Sequence, residues 1–200
     1  MKNLFITGYD SNTEWMLKWF LKNFYNNSHT AILPYDFDEF KAPTQGMMNW
    51  FKKPFAMLDA ASKADKVCWI DLDCEIKENI DGVFDLIEPN KLAMVEDLPW
   101  TKRTNQKWHN SGVVGFQGKP KILQEWAAEV ALNPPIRGDQ EVLHSMMTDS
   151  LKRMIHITDL PREYNTLRID FIDGTNPKNP KIAHWTGQKG KEHIRKMIDE

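Results

Sequence analysis

Residues 66–76 read Lys66-Val67-Cys68-Trp69-Ile70-Asp71-Leu72-Asp73-Cys74-Glu75-Ile76, and this stretch decides the fold. Four successive apolar residues bounded by charge predict a short strand buried on both faces, the pattern of a parallel sheet covered by helices. The strand runs out into acid. On an extended backbone, residues two apart share a face, so Asp71 and Asp73 are expected side by side. Two carboxylates at the end of a buried strand repel unless a cation compensates, and Mg2+ or Mn2+ with oxygen ligands suits them. Cys68 and Cys74 flank the acids on the same predicted strand, too far apart to bridge, and are expected as reduced, buried thiols.

Toward the N-terminus, Leu4-Phe5-Ile6-Thr7 predicts a first strand. Ser11-Asn12-Thr13-Glu14 then matches a capping box opening a helix to about Asn26, with Trp15, Trp19, Phe20 and Phe24 on its apolar face. Ala31-Ile32-Leu33 predicts a second strand, followed by a turn-rich passage to Gly46. Pro54 suits a helix's first turn, and Phe55, Leu58 and Ala61 recur behind it at helical spacing.

Toward the C-terminus come a short helix from Asp81 to Ile87, a strand from Lys91 to Glu96, a polar passage from Asp97 to His109, and a strand from Ser111 to Phe116. A helix from Pro120 to Leu132, a loop from Asn133 to Gly138, a helix from Asp139 to Met147 and a strand from Met154 to Ile157 continue the alternation. There is no internal repeat and no Pro/Gly/Ser-rich linker. The expected fold is α/β, one domain over residues 1–200, a sandwich with a mainly parallel central sheet. In such sheets ligands sit at the carboxyl ends of the strands, where Tyr9-Asp10, Asp71-Leu72-Asp73 and Asn110 fall or lie nearby.

The chain's 200 residues suffice for one core. With 41% apolar residues, 27% charged residues and a net charge of -2, it reads as an ordinary globular protein and not as a dedicated nucleic-acid binder. The one basic cluster spans Lys189 to Lys196. No stretch approaches the ~20 apolar residues of a membrane span, and Met1-Lys2-Asn3 leads into a strand, not a signal peptide, so a cytoplasmic location is expected. Eight tryptophans read as core packing before sugar contacts.

Five short motifs then follow one another in order: residues 66–76, Asn110-Ser111-Gly112-Val113-Val114-Gly115-Phe116, Asp139-Gln140, Leu160-Pro161 with Tyr164-Asn165, and Ile182-Ala183-His184-Trp185-Thr186-Gly187-Gln188-Lys189. Together they resemble glycosyltransferases of the GT-A fold. The last resembles the His-aromatic-x-Gly…Lys ending of family 8, the glycogenin-like and bacterial galactosyltransferase group, although the Pro-Trp usual after the family lysine is absent.

The resemblance implies a nucleotide-diphosphate sugar donor, UDP-linked by expectation, a glycan, protein or small-molecule acceptor, and transfer with retention. It implies Mn2+, with Mg2+ as the other candidate, on Asp71, Asp73 and His184; a nitrogen ligand suits Mn2+ better. Lys189 or Lys191 would neutralise the diphosphate from a Gly-flexible loop, lowering the barrier to departure together with the cation. Lys53, with Lys52 as its competitor, would reach the donor. Tyr9 would stack on the base and Asp10 or Asn12 would bond to it, while Gly8 and Asn12 also fit a plain turn and a helix cap. Asp139 and Gln140 would border the reacting carbon. Asn110, Ser111, Gly112 and Gly187, with His109 nearby, would face the sugar or acceptor. Trp100, Lys102, Arg103 and Trp108 would form a mobile lid or acceptor wall.

Other readings share parts of this pattern. A haloacid-dehalogenase-like phosphatase places its Asp-x-Asp near the N-terminus, whereas here a strand-helix-strand unit precedes it and Cys74-Glu75 follow. A sugar nucleotidyltransferase needs a Gly-rich basic loop after the first strand, which is missing. A non-catalytic GT-A-like module for nucleotides or glycans would be betrayed by a lost acid, a lost His184 or lost terminal lysines, and all of these are present.

Overall fold

The structure is a computed structural model that describes residues 1–43, 48–132 and 138–199. Its central sheet has six strands, ordered β2 (Ile32–Asp36), β1 (Asn3–Tyr9), β3 (Lys66–Ile70), β6 (His109–Gln117), β5 (Leu92–Glu96) and β7 (Ile157–Leu160). The β2/β1, β1/β3 and β5/β7 pairs are parallel, and β6 runs antiparallel to both of its neighbours. The sheet is mainly parallel, as expected from the sequence, with the one reversed strand β6. Helix α3 (Leu98–Thr104) causes the reversal: the Asp97 amide bonds the Trp108 carbonyl at 2.9 Å, so the chain stays at one end of the sheet and must run back. In consequence the start of β6 lies beside the carboxyl ends of β1, β3 and β5.

The β5/β6 register also shifts at that end. Met94 faces Val114 but Val95 faces Asn110, which leaves Ser111, Gly112 and Val113 without a β5 partner. Such a bulge re-aims backbone and side chains away from the ladder.

Alternation along the strands distributes the core between two faces. Leu4, Ile6, Val67, Trp69, Met94 and Val114 pack with α2 (Lys53–Ala60), α4 (Lys121–Leu132) and α5 (Asp139–Met146). Phe5, Cys68, Ile70, Ala93 and Val113 pack against α1 (Leu17–Asn27), the Val83-Phe84 turn and a second sheet. That sheet is ordered β4 (Cys74–Ile76), β9 (Ile182–His184) and β8 (Thr166–Leu167), and it sets Cys74 opposite His184. α7 (Arg168–Ile172) follows β8, and α8 (Gly187–Asp199) ends the described chain, with Ile194 in the core. No helix among the described residues is long and apolar enough to cross a membrane.

Several local expectations change. Met154–Ile157 is not a strand: α6 (Ser150–His156) occupies it, capped by the Asp149 carboxylate, which accepts from the Leu151 and Lys152 amides, and β7 begins only at Ile157. The polar passage from Asp97 contains α3, with Asp97 as its N-cap and Pro99 in its first turn. Asp10, not Ser11, organises the start of the first helix, accepting from the Asn12 amide and the Thr13 hydroxyl at 3.1 and 2.7 Å, and the first turn is a 3-10 turn at Glu14–Met16. Asp81–Leu86 is also 3-10. Cys68 and Cys74 are free and buried, but they sit on strands of different sheets. Parts of the expected turn to Gly46 and of the loop from Asn133 lie outside the described residues.

Trp126 joins this scaffold to the functional edge, since its fully buried indole packs α4 into the core and donates to the Asp139 carbonyl at 3.1 Å. Trp126→Ala is expected to lower unfolding free energy by about 3–5 kcal/mol, the usual cost of emptying a buried aromatic site. Urea denaturation would show it as a lower midpoint with an unchanged slope.

Candidate active site

Asp71 follows β3 directly, and the chain turns there: the Cys74 amide bonds the Asp71 carbonyl at 3.1 Å, and the Asp71 amide bonds the bulged Gly112 carbonyl at 2.7 Å. The two acids therefore meet through a turn and not through the period of an extended strand. Lys53, at the first residue of α2, ties this turn to two other elements. Its ammonium lies 3.0 Å from Asp71 Oδ1 and 2.9 Å from Asp139 Oδ2, and it donates to the Ser111 carbonyl at 3.2 Å and the Ser111 hydroxyl at 3.3 Å. At 3% exposure Lys53 is not a solvated lysine. Burial opposes its charge, but Asp139 and Asp71 outweigh burial and raise its pKa above the ordinary value. The competing Lys52 donates instead to the Phe37 carbonyl.

The second carboxylate oxygen of Asp71 faces His184. His184 Nε2 lies 3.1 Å from Asp73 Oδ1 and 3.9 Å from Asp71 Oδ2. Burial disfavours the imidazolium, yet Asp73 and Asp71 together hold the His184 pKa above its usual value. Burial likewise pushes Asp73 up, and His184 followed by Lys191 brings it below the ordinary carboxylate value. On its other side His184 Nδ1 meets Asn165 Oδ1 at 3.0 Å, while Asn165 Nδ2 donates to Asn110 Oδ1 at 2.8 Å. Both ring nitrogens thus face oxygen acceptors, Nε2 the acids and Nδ1 the Asn165 amide, which fixes the orientation of the ring. Gly112 makes room for this: a Cβ there would lie 2.2 Å from His184 Cε1 and 2.4 Å from Nδ1.

A third cluster centres on Asp97, which the sequence reading placed only at the start of a polar passage. Asp97 Oδ2 accepts from Asn110 Nδ2 at 3.1 Å and Gln140 Nε2 at 3.0 Å, and Oδ1 accepts from the Trp100 amide at 3.1 Å. Gln140 Oε1 accepts from Asn110 Nδ2 and the Ser111 amide, and the Ser111 hydroxyl donates to Asp139 at 2.9 Å.

Two cavities meet at Asp71, Asp73 and Asp139, which line both. The smaller, about 200 Å³, contains Gly8, Tyr9, Asp10, Phe37, Trp69, Lys53 and Lys191. Gly8 is required where Phe37 and Trp69 stack 6.0 Å apart, because a Cβ would lie 2.4 Å from the Phe37 ring. The larger, about 440 Å³, contains Asn110, Ser111, Gly112, Gln140, His184, Gly187, Trp100 and Arg103. Asn12 and Lys189 are exposed and line neither. The terminal lysines stand on α8 and not on a flexible loop. His109 does not face the larger cavity: its ring pairs with Asp159 at 2.7 Å. Trp100 stacks on Trp108, and Trp108 on His144, so the expected lid is built as a packed helical wall.

No protein-family model and no curated relative matches this sequence. Solved structures do. A glycosyltransferase involved in glycosylation of the major capsid of PBCV-1 superposes with a TM-score of 0.68 at 13% identity, covering 100% of both chains. The galactosyltransferase LgtC, in complex with donor and acceptor sugar analogs, gives 0.63 at 10% identity over 98% of this chain and 94% of its own. GlyE of Streptococcus pneumoniae gives 0.68 at 18% identity over 94% of this chain; this chain spans only 55% of GlyE, and 46% of the bifunctional WbbM. The fold is that of GT-A-like glycosyltransferases.

Lys53→Met removes the ammonium but keeps the side chain's bulk, leaving Asp71 and Asp139 without their cation. Breaking a buried pair costs roughly 3–5 kcal/mol. Asp71 is a quarter exposed, so about 3 kcal/mol is expected, a fall of about 6–12 °C in the thermal midpoint by calorimetry.

Proposed function

We propose that this chain is a metal-dependent glycosyltransferase that moves a sugar from a nucleotide-diphosphate donor, UDP-linked by first expectation, to an acceptor hydroxyl with retention. The observation that carries the reading is the convergence of Asp71, Asp73 and a His184 ring held by Asn165 where the two cavities join. A ligand filling both cavities must lay its central, anionic part against these acids. That requires a cation.

The donor set fits Mn2+, with Mg2+ as the alternative: two carboxylates and one imidazole nitrogen, hard and borderline donors. The thiol of Cys74 also lies near Asp73 and His184, their ligand atoms all within 4.8 Å of one another. Burial, then Asp73 and Asp71, push its pKa well up, and a soft sulfur suits Mn2+ or Mg2+ less well than the carboxylates and the imidazole. Held there, a divalent cation supplies charge neutralisation to the leaving diphosphate.

The remaining work falls to the chain's own groups. In this reading Tyr9, Asp10 and the Gly8 recess hold the nucleoside in the smaller cavity, with Lys191 adding positive charge beside Asp73. Lys189 and Asn12, both exposed, have no part in it. Lys53 fixes Asp71 and lines the same cavity, where it would reach the donor. Asn110, Ser111, Gly112, Gly187 and Gln140 line the sugar and acceptor side. Retention is supported by the engagement of Asp139, whose Oδ2 is already taken up by the Lys53 ammonium and the Ser111 hydroxyl. Gln140 then borders the reacting carbon as a neutral amide.

The test is Mn2+-dependent hydrolysis of a panel of UDP-, GDP- and CMP-sugars. Asp73→Ala and His184→Ala are expected to lose at least about 100-fold in rate. Absence of any turnover or binding of nucleotide sugars sinks the reading, and turnover surviving both substitutions removes the metal assignment. Anomer analysis by NMR decides retention. Gly112→Ala keeps all three ligands but displaces the imidazole, so Mn2+ affinity by calorimetric titration is expected to weaken by about 10–100-fold. Proton and cation compete for Nε2, so in the wild type the affinity is expected to fall as pH drops through the raised His184 pKa.

A further inference from the structure

We propose that the acceptor is a sugar carrying an oxyanion, a carboxylate or a phosphate, which Arg103 selects while Glu141 accepts from the sugar hydroxyls. The proposal deepens the reading given above and rests on it for taking the larger cavity as the acceptor side. Its ground is an imbalance among the polar groups of that cavity. Asp97, Asn110, Ser111 and Gln140 satisfy one another, Lys53 and Ser111 hold Asp139, and Asn165 holds His184. Two charged groups are left over. Arg103 and Glu141 both line the cavity, and among the described residues neither has a hydrogen-bond or ion-pair partner.

Among the described residues Arg103 is the one lysine or arginine of the larger cavity. A basic residue in the last turn of α3 answers the helix dipole, and Lys102 does so without lining the cavity. Arg103 instead rests over the Trp100 ring, 4.8 Å from its centroid. Trp100 lies 5.4 Å from Trp108, and Trp108 lies 3.5 Å from the His144 ring of α5, so three rings in succession back the guanidinium. Such backing restrains a long side chain before anything binds, and less entropy is lost when it pairs. Its N–H donors stay free for a ligand, in the fork that matches two oxygens of a carboxylate or phosphate.

Glu141, in the first turn of α5, folds back toward Gly138 and does not pair with the guanidinium. Its carboxylate only accepts, so it suits hydroxyls and repels a second anion. In water each of these charges is solvated. Once an acceptor covers them, a neutral group over Arg103 leaves its charge desolvated and its donors unmatched, whereas an oxyanion answers both. The two charges thereby orient the ring, oxyanion toward Arg103 and hydroxyls toward Glu141. Neither residue lines the smaller cavity, which sets them apart from the nucleoside.

The test titrates the full chain, with and without UDP and Mn2+, with methyl glucuronide, glucose-6-phosphate and methyl glucoside, and reads affinity by NMR shift perturbation. At least one of the two anionic sugars is expected to bind at least about tenfold more tightly than the neutral glucoside, and which one does so tells carboxylate from phosphate. Arg103→Gln is expected to abolish that preference while changing the affinity for the glucoside less than about threefold. Arg103→Lys is expected to keep part of it, since an ammonium lacks the fork. Glu141→Gln is expected to weaken anionic and neutral sugars by a similar factor. Equal affinity for charged and neutral sugars overturns the proposal, as does a preference that survives Arg103→Gln, or no binding of any of the three sugars to the chain holding UDP and Mn2+. Two further results overturn it by assigning Arg103 to the donor: a loss of more than about tenfold in UDP affinity in Arg103→Gln, or an Arg103-dependent preference for UDP-glucuronate over UDP-glucose. If UDP with Mn2+ does not bind to wild type, the reading of the function falls, and the titrations without them still decide whether Arg103 selects an oxyanion.

Discussion

Lys53 stands in an unfavourable place three times over: it is buried, it opens a helix whose N-terminus already carries positive partial charge, and its long side chain is held in one conformation. Desolvating an ammonium costs several kcal/mol, and the helix terminus adds about 0.3–1 kcal/mol. Two carboxylates at hydrogen-bond distance and two oxygens of Ser111 offset this. That one ammonium draws together α2, the turn after β3, the bulged start of β6 and the first turn of α5. The acids that face the cavities are spaced by it, so the arrangement of the site follows from a charge that is almost wholly buried.

The reversed strand completes the same geometry. Were β6 parallel, its start would lie at the far end of the sheet, and Asn110, Ser111 and Gly112 would be remote from Asp71. Running backwards and bulged, it delivers an amide, a hydroxyl and a glycine to the carboxyl edge of its neighbours, and the glycine leaves the volume that the imidazole of His184 fills.

Much of the architecture was legible because it rests on local signals. The run Val67–Ile70 and the alternation of Leu4, Phe5 and Ile6 read as buried strands, and Pro54 marked its helix. Failures arose where local pattern was silent or ambiguous. Met154–Ile157 is apolar and short, equally a strand or a helix face, and the decisive cue was the cap at Asp149. Asp97-Leu98-Pro99 carried the same kind of cue for α3. Strand direction has no local signature, so β6 could not be oriented in advance. Lys189 and Lys191 looked interchangeable, but two residues on a helix are about 200° apart, and only Lys191 turns inward. The burial of Lys53 and the hub at Asp97 depend on partners far along the chain, which no window of sequence contains.

The separation in sequence between the site's parts bears on how the chain acquires its structure. The smaller cavity draws on residues 8–73 but also on Asp139 and Lys191, and Trp185 reaches back to Glu75 across 110 residues. Closing such long loops is slow because chain entropy is lost before contacts repay it. The local β1–α1–β2 unit can condense early, whereas the acids gain His184 only when β9 pairs with β4. The centre is therefore expected to be among the last regions to become ordered during folding and among the first to loosen on unfolding. Binding of ligand across both cavities would then act as a late clamp on the whole molecule.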